Sequence, residues 1–261
     1  MKFIFATTEP DKVIGTIRSR THHYPIRLVP PLRLQARVPI LAISYEDGIQ
    51  LAGSIRQRWR SDAPSDTRST SAVGVFSAFK SLDLPGFAHH VIAIRAAAGW
   101  EDDKAVTQFN SGGVSGSTLS VVPGVNIGDG RRTFFARGFP ANSQFGEQAL
   151  AASAEYRAPI SLPAAGYKLL PIFLQRISAT FFADAATAWC PTGSPTSAVC
   201  STPGGTPKDW MSSAGAELNL DAALQYDYPF RFRLGAATPI AGRKYFGKNA
   251  VSAYLTVGLS F

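Results

Sequence analysis

The sequence predicts an all-β protein: a partial antiparallel transmembrane β-barrel of about nine strands behind a short non-barrel N-terminal leader. Three observations lead there. Apolar and polar residues alternate along run after run, which gives a strand one apolar and one polar face. The runs reach about ten residues, the span a tilted membrane strand needs, where soluble strands usually have about five or six. The chain also stops on Phe261, in register with its last apolar row. Alternation alone fits a soluble sandwich or small barrel as well, with the apolar face turned inward rather than to lipid.

The 261 residues, 45% hydrophobic and 17% charged, suffice for one large domain. No stretch approaches the roughly 18 continuous apolar residues of a membrane helix, so any insertion in a bilayer must use strands. The net charge of +8 is concentrated: residues 1–37 carry seven Lys/Arg and two Asp/Glu. The remaining chain is only mildly basic, and no nucleic-acid partner is expected for it. The opening "MKFIFATTEPDKVIG" turns acidic and proline-containing at once, without the apolar core and small-residue cleavage site of a secretory signal.

After the leader, strands are expected near 38–45, 48–60, 71–81 and 88–100, with short turns "YEDG" and "LDLPG" at one end and the longer "SDAPSDTRSTS" at the other. Residues 101–148 read as one long loop. Its "SGGVSGS" and "NIGDGRR" lack the strand-to-helix setting of a phosphate cradle. In "LAASAEYRAP", Ala152, Ala154, Tyr156 and Ala158 oppose Ser153, Glu155 and Arg157. The 175–189 strand carries Ile177, Ala179, Phe181, Ala183 and Ala185 on one face, and Ser178, Thr180, Phe182, Asp184 and Ala186 on the other. Asp184 is the single charge of "SATFFADAATAWC". The strand near 212–225 sets Ala214, Ala216, Leu218 and Leu220 against Glu217, Asn219 and Asp221; that near 229–238 sets Phe230, Phe232 and Leu234 against Arg231 and Arg233. The last, near 250–261, sets Val251, Ala253, Leu255, Val257, Leu259 and Phe261 against Ser252, Tyr254, Thr256 and Ser260.

Cys190 and Cys200 bracket "CPTGSPTSAVC". In an exported protein they read as a local disulfide, in a cytosolic one as two free thiols. Neither they nor His22 and His23 beside Tyr24 make a metal site, and no metal or cofactor is expected.

Two resemblances lie in the chain. "FIFATTEP" and "SRT", within residues 1 to about 35, resemble the sensor 1 strand and Ser-Arg-Cys motif of the bacterial DNA polymerase III gamma/tau subunit, an AAA+ clamp-loader ATPase. The resemblance implies that Thr7 or Thr8 senses a nucleotide phosphate and that Arg20 acts as an arginine finger. The G-x-x-x-x-G-K-[ST] phosphate loop is missing, so these are vestiges without a nucleotide site, and no enzymatic activity is expected.

From about Val38, the chain resembles the C-terminal part of the outer-membrane barrel superfamily of BamA-type assembly factors and bacterial surface antigens. "ARGF", with Arg137, Gly138 and Phe139, is similar to the signature at the tip of that family's long sixth extracellular loop. "FADAA", with Phe182 and Asp184, is similar to the inner-wall motif that receives the loop arginine, with Ala186 in place of its glycine. "AEYRAPI" resembles the strand after the loop, with Glu155 facing inward. The resemblance implies a lipid bilayer as partner, contact with outer-membrane assembly machinery, an outer-membrane location for the parent barrel, a role for Phe261 as C-terminal barrel signal, and a parent function in protein insertion or translocation. Asp184 is then either the partner of Arg137 or a hydrated wall residue. The resemblances carried by residues 1 to about 35 and by the chain from about Val38 together imply a boundary at 37/38 between leader and barrel. Family members have sixteen strands, so this chain looks chimeric or truncated.

Overall fold

The computed structural model describes residues 43–60, 67–102, 109–114, 119–122, 125–127, 133–166, 172–191, 200, 206–224, 228–246 and 250–259. The chain divides into two units at residues 39/40, and all described residues belong to the second. In chain order the elements are β1 (Gly48–Arg60), β2 (Thr67–Leu82), β3 (His90–Glu101), β4 (Phe109–Ser111), β5 (Leu119–Val122), β6 (Val125–Ile127), β7 (Gln144–Gly146), β8 (Gln148–Ser161), β9 (Ala165–Gly166), β10 (Ile172–Trp189), β11 (Met211–Leu224), β12 (Tyr228–Ala241), a single helical turn α1 (Arg243–Phe246) and β13 (Ser252–Leu259).

The long strands follow one another as antiparallel neighbours in the order β1-β2-β3-β8-β10-β11-β12-β13, extended by β6 and β5 beyond β13 and by β9 on β10. A separate two-stranded ribbon pairs β4 with β7. The order among the described residues is linear; β1 ends it on one side and β5 on the other.

Three sequence expectations need correction. No strand occupies 43–45, where the chain bends toward β1, and residues 38–42 lie outside the described part. The expected loop 101–148 contains β4, β5, β6 and β7, because its short β-prone runs find partners: β4 pairs with β7, β6 with β13, and β5 with β6. One of those pairings, β13 with β6 at Leu255↔Val125 to Val257↔Ile127, is parallel. It gives the backbone groups on that stretch of the β13 edge partners that they would otherwise lack.

The connections sort by end. Residues 83–89 lie at one end of the sheet, and the described parts of 102–147, 190–210 and 242–251 at the other. At the first end the "YEDG" segment is tied to the end of β2, since the Asp47 carboxylate accepts from Ser81 Oγ at 2.5 Å and Lys80 Nζ at 3.0 Å.

On β10 and β11 the polar row is the buried one. On β10 the polar row Ser178, Thr180 and Asp184 is buried, while Phe181 on the other face is 52% exposed. On β11, Ser213, Glu217, Asn219 and Asp221 are buried. On β3, Val91 and Ala93 are buried, while Ile92, Ile94 and Trp100 are exposed. On β12, Leu234 is 53% exposed. The polar sides share one face of the sheet, and segments of the connection 102–147 cover it. The apolar core lies beneath that cover: Phe134, Ala136 and Phe139 pack against Ala149, Ala151, Ala186, Ala188, Met211 and Phe246.

Candidate functional site

Register brings the polar residues of different strands side by side. Pairing across β3, β8, β10 and β11 makes one row of Arg95, Ser153, Asp184 and Ser213. The next row holds Ala93, Glu155, Phe182, Gly215 and Ala237, and the third Val91, Arg157, Thr180, Glu217, Gly235 and Tyr254. Glu155, Asp184 and Glu217 thus stand on three adjacent strands facing the same side. Three carboxylates so close demand cations.

Arg137 supplies the central one. It lies in a turn of the 102–147 connection, only 2% exposed. Its guanidinium grips Asp184 in a fork, Nε to Oδ2 and Nη2 to Oδ1, both at 2.7 Å. Its backbone N–H adds a third bond to Oδ2 at 3.0 Å. Nη2 also reaches Glu155 Oε1 at 2.8 Å and Ser153 Oγ at 3.0 Å, and Nη1 reaches Glu217 Oε2 at 3.3 Å. Underneath, the Phe182 ring lies 3.8 Å from the guanidinium carbon, a cation–π contact in a desolvated place. The planar five-donor fork suits this task, whereas a lysine ammonium, as a point charge, does not.

The carboxylates are held from their outer sides too. Ser153 Oγ donates to Asp184 Oδ1 at 2.7 Å, Arg157 grips Glu155 Oε2 at 2.6 and 2.9 Å, and the Tyr254 hydroxyl donates to Glu217 Oε1 at 2.7 Å. Ser213 Oγ donates to the Arg137 carbonyl at 2.6 Å, fixing the turn's backbone as well as its side chain. Burial alone would lower the Arg137 pKa; Asp184, Glu155 and Glu217 more than reverse this and hold it above its ordinary value.

The turn beside it depends on Gly138, whose φ is +86°, and whose missing Cβ would stand 2.6 Å from Ala237 Cβ and 2.9 Å from the Phe246 ring. Phe139 then meets Phe246 edge-on at 5.1 Å between centroids. Further along the connection, Gln144 is fully buried; its Nε2 donates to the Asp209 carbonyl and its Oε1 accepts from Ala188 N–H. Cys190 and Cys200 form a disulfide in the connection after β10.

Of the residues singled out from sequence, Arg137, Gly138, Phe139, Glu155, Phe182 and Asp184 are gathered in one place, and Ala186 is buried in the same core. Phe261, Thr7, Thr8 and Arg20 lie outside the described residues. Sequence reasoning missed Ser153, Ser213, Glu217 and Tyr254 as partners. All four alternate on the polar side, but only the inter-strand register shows that they converge on Arg137. Among the described residues, no group of three or more His, Cys, Asp or Glu is arranged to hold a metal ion.

Comparison with known proteins shows a partial similarity. A stretch of 70 residues is 46% identical to the DNA polymerase III subunit gamma/tau of Mycobacterium bovis and of Mycobacterium tuberculosis, covering 26% of this chain and 12% of theirs. No family profile and no solved structure matches the chain.

Proposed function

We propose that the described β-sheet is part of the wall of an outer-membrane β-barrel of the surface-antigen and assembly-factor type, non-enzymatic, whose parent role is inserting or translocating proteins at the outer membrane. The observation that carries this reading is the inverted burial: a polar face filled by an inserted, charge-paired loop, and an opposite face bearing Ile92, Ile94, Phe181 and Leu234 in the open. Water penalises such a face at about 25 cal/mol per Å², whereas lipid accepts it. Long connections gathered at one end, and the tip arginine held on the wall motif, are in keeping with it. The surface-antigen assignment itself rests on the residues of those motifs alone.

A second reading has its own observation. The gamma/tau similarity favours a clamp-loader ATPase fragment for the part of the chain it covers, and because it spans so little of those relatives, their activity is a proposal for this chain as well. The two readings concern different features, and a fused chain accommodates both. A soluble β-rich module is disfavoured, since the apolar faces do not meet in a core among the described residues.

Refolding tests the proposal. The protein should give strand circular dichroism and a protease-resistant connection 102–147 only with detergent or lipid present; a cooperatively folding monomer in plain buffer overturns it.

A further inference from the structure

Beside the arginine network, on the polar face of the sheet, is a cavity of about 120 Å³. A water needs about 10–15 Å³ on this measure, so there is room for several waters, or for a tetrahedral oxyanion with water around it. Two guanidinium-bearing residues, Arg95 of β3 and Arg157 of β8, line it, together with the hydroxyl residues Ser77 and Ser153 and one carboxylate, Glu155. Both guanidinia are braced by aromatic rings: Arg95 lies 5.0 Å from the centre of Phe135, and Arg157 5.7 Å from that of Phe79. The carboxylate is already committed, to Arg137 on one oxygen and to Arg157 on the other. Asp184 and Glu217 face Arg137 and do not line the cavity.

We propose that this cavity is a binding site for a phosphate-sized oxyanion, held between Arg95 and Arg157 with the Ser77 hydroxyl as an additional donor. Chemistry and placement both favour such a ligand. Guanidinium groups pair with phosphate and carboxylate oxygens through parallel N–H donors, and aromatic bracing fixes their direction beforehand. The site is contiguous with the loop pin through Glu155, which touches Arg137 and Arg157 at once. An anion on Arg157 draws that guanidinium away from Glu155 and leaves Glu155 more fully to Arg137, so occupancy should tighten the loop. The proposal rests on the cavity and its lining, not on a bilayer around the sheet.

The source of the phosphate group, free in solution or on a lipid headgroup, is decided by the probes. The full chain, folded in a phosphate-free maltoside detergent, is titrated calorimetrically with inorganic phosphate and separately with glycerol 3-phosphate, and protease nicking within 102–147 is followed in parallel. Saturable binding of one equivalent is expected, with slower nicking. Arg95→Gln should weaken it at least about tenfold, the scale of one charge-assisted hydrogen bond. Tighter binding of glycerol 3-phosphate assigns a headgroup; equal or weaker binding assigns the free oxyanion. Arg157→Gln should act similarly, and if it disturbs the fold through Glu155, Arg95→Gln still decides. No saturable binding of either probe to protein whose loop is protected overturns the inference, as does binding that Arg95→Gln leaves unchanged. Loss of loop protection in the unsubstituted chain counts instead against the folded wall described above.

Discussion

Asp184 receives three N–H donors from Arg137, two from the guanidinium and one from the backbone, and a hydroxyl from Ser153 besides. Both of its oxygens are therefore used twice. The carboxylate reads the turn's backbone position as well as its charge, and that distinguishes a docked loop from a loop whose long side chain merely reaches the wall. Glu155 and Glu217 flank the same guanidinium on the neighbouring strands. The network ties four strands and the inserted connection into one unit.

The first prediction follows from that sharing. Arg137→Ala leaves the buried Asp184 and Glu217 and the half-buried Glu155 without their shared cation, and Asp184→Ala leaves the guanidinium without its fork; each should cost about 3–5 kcal/mol, the usual result of breaking a buried pair. The double variant should cost less than the sum, with a coupling above about 1 kcal/mol. Urea unfolding in detergent micelles measures it, and nicking within 102–147 should rise in both single variants. Additive costs with unchanged nicking would mean that Asp184 is only a hydrated wall residue.

Gly138 gives a second. Its positive φ costs a side-chain-bearing residue about 1–3 kcal/mol, and a Cβ there runs into Ala237 and Phe246. Gly138→Ala should lift the turn off the wall while the strands stay paired: increased nicking near Arg137, with little change in strand circular dichroism. An unaltered digestion pattern would show that the turn has slack which these contacts deny.

Much of this was legible in the sequence, for identifiable reasons. The eight long strands follow from period-2 alternation, their neighbour order from the up-and-down reading, and the outward rows of Phe181 and Leu234 are visible as apolar sets in the sequence. Arg137, Gly138, Phe139, Phe182 and Asp184 were marked by motif, because loop tip and wall are each a local string. Glu217 and Tyr254 were not. Their roles come from the registers Thr180↔Glu217 and Gly235↔Tyr254, and register depends on turns and bulges such as that between Ile177 and Ser178, which alternation leaves free. Strand pairings inside the 102–147 connection were hidden for a related reason: runs as short as β4 and β6 are too brief for periodicity to register.

The clamp-loader similarity leads to a third prediction. The G-x-x-x-x-G-K-[ST] pattern is missing from the sequence, which leads us to expect that Thr7, Thr8 and Arg20 meet no nucleotide. Purified protein should hydrolyse ATP no faster than its Arg20→Ala variant, by phosphate release. Turnover abolished by Arg20→Ala would give the leader a working role.

Two hydroxyls on the same face of β13 give the last. Tyr254 donates to Glu217 Oε1 at 2.7 Å, whereas two residues on, Thr256 Oγ1 is buried with no hydrogen-bond partner among the described residues. The asymmetry of hydrogen-bond energetics separates them. Deleting one member of a buried bonded pair strands the other at about 1–3 kcal/mol, while replacing an unpaired buried hydroxyl by a methyl group removes a desolvation cost. Glu217 has little compensation available, since its other oxygen already faces Arg137 at 3.3 Å. Tyr254→Phe should therefore destabilise the sheet by about 1–3 kcal/mol in micellar urea unfolding. It should also loosen the loop, because Glu217 is one of the three acids around Arg137. Thr256→Val, similar in shape to threonine, should be neutral or stabilising and leave the nicking pattern alone. In an Arg137→Ala background the Tyr254→Phe cost should change, since both substitutions act on one carboxylate, while the Thr256→Val effect should add independently. If Thr256→Val proved the more damaging of the two, its hydroxyl would have to be satisfied by water at that depth, and the polar face at β13 would be wetter than the packing of Tyr254 and Glu217 implies.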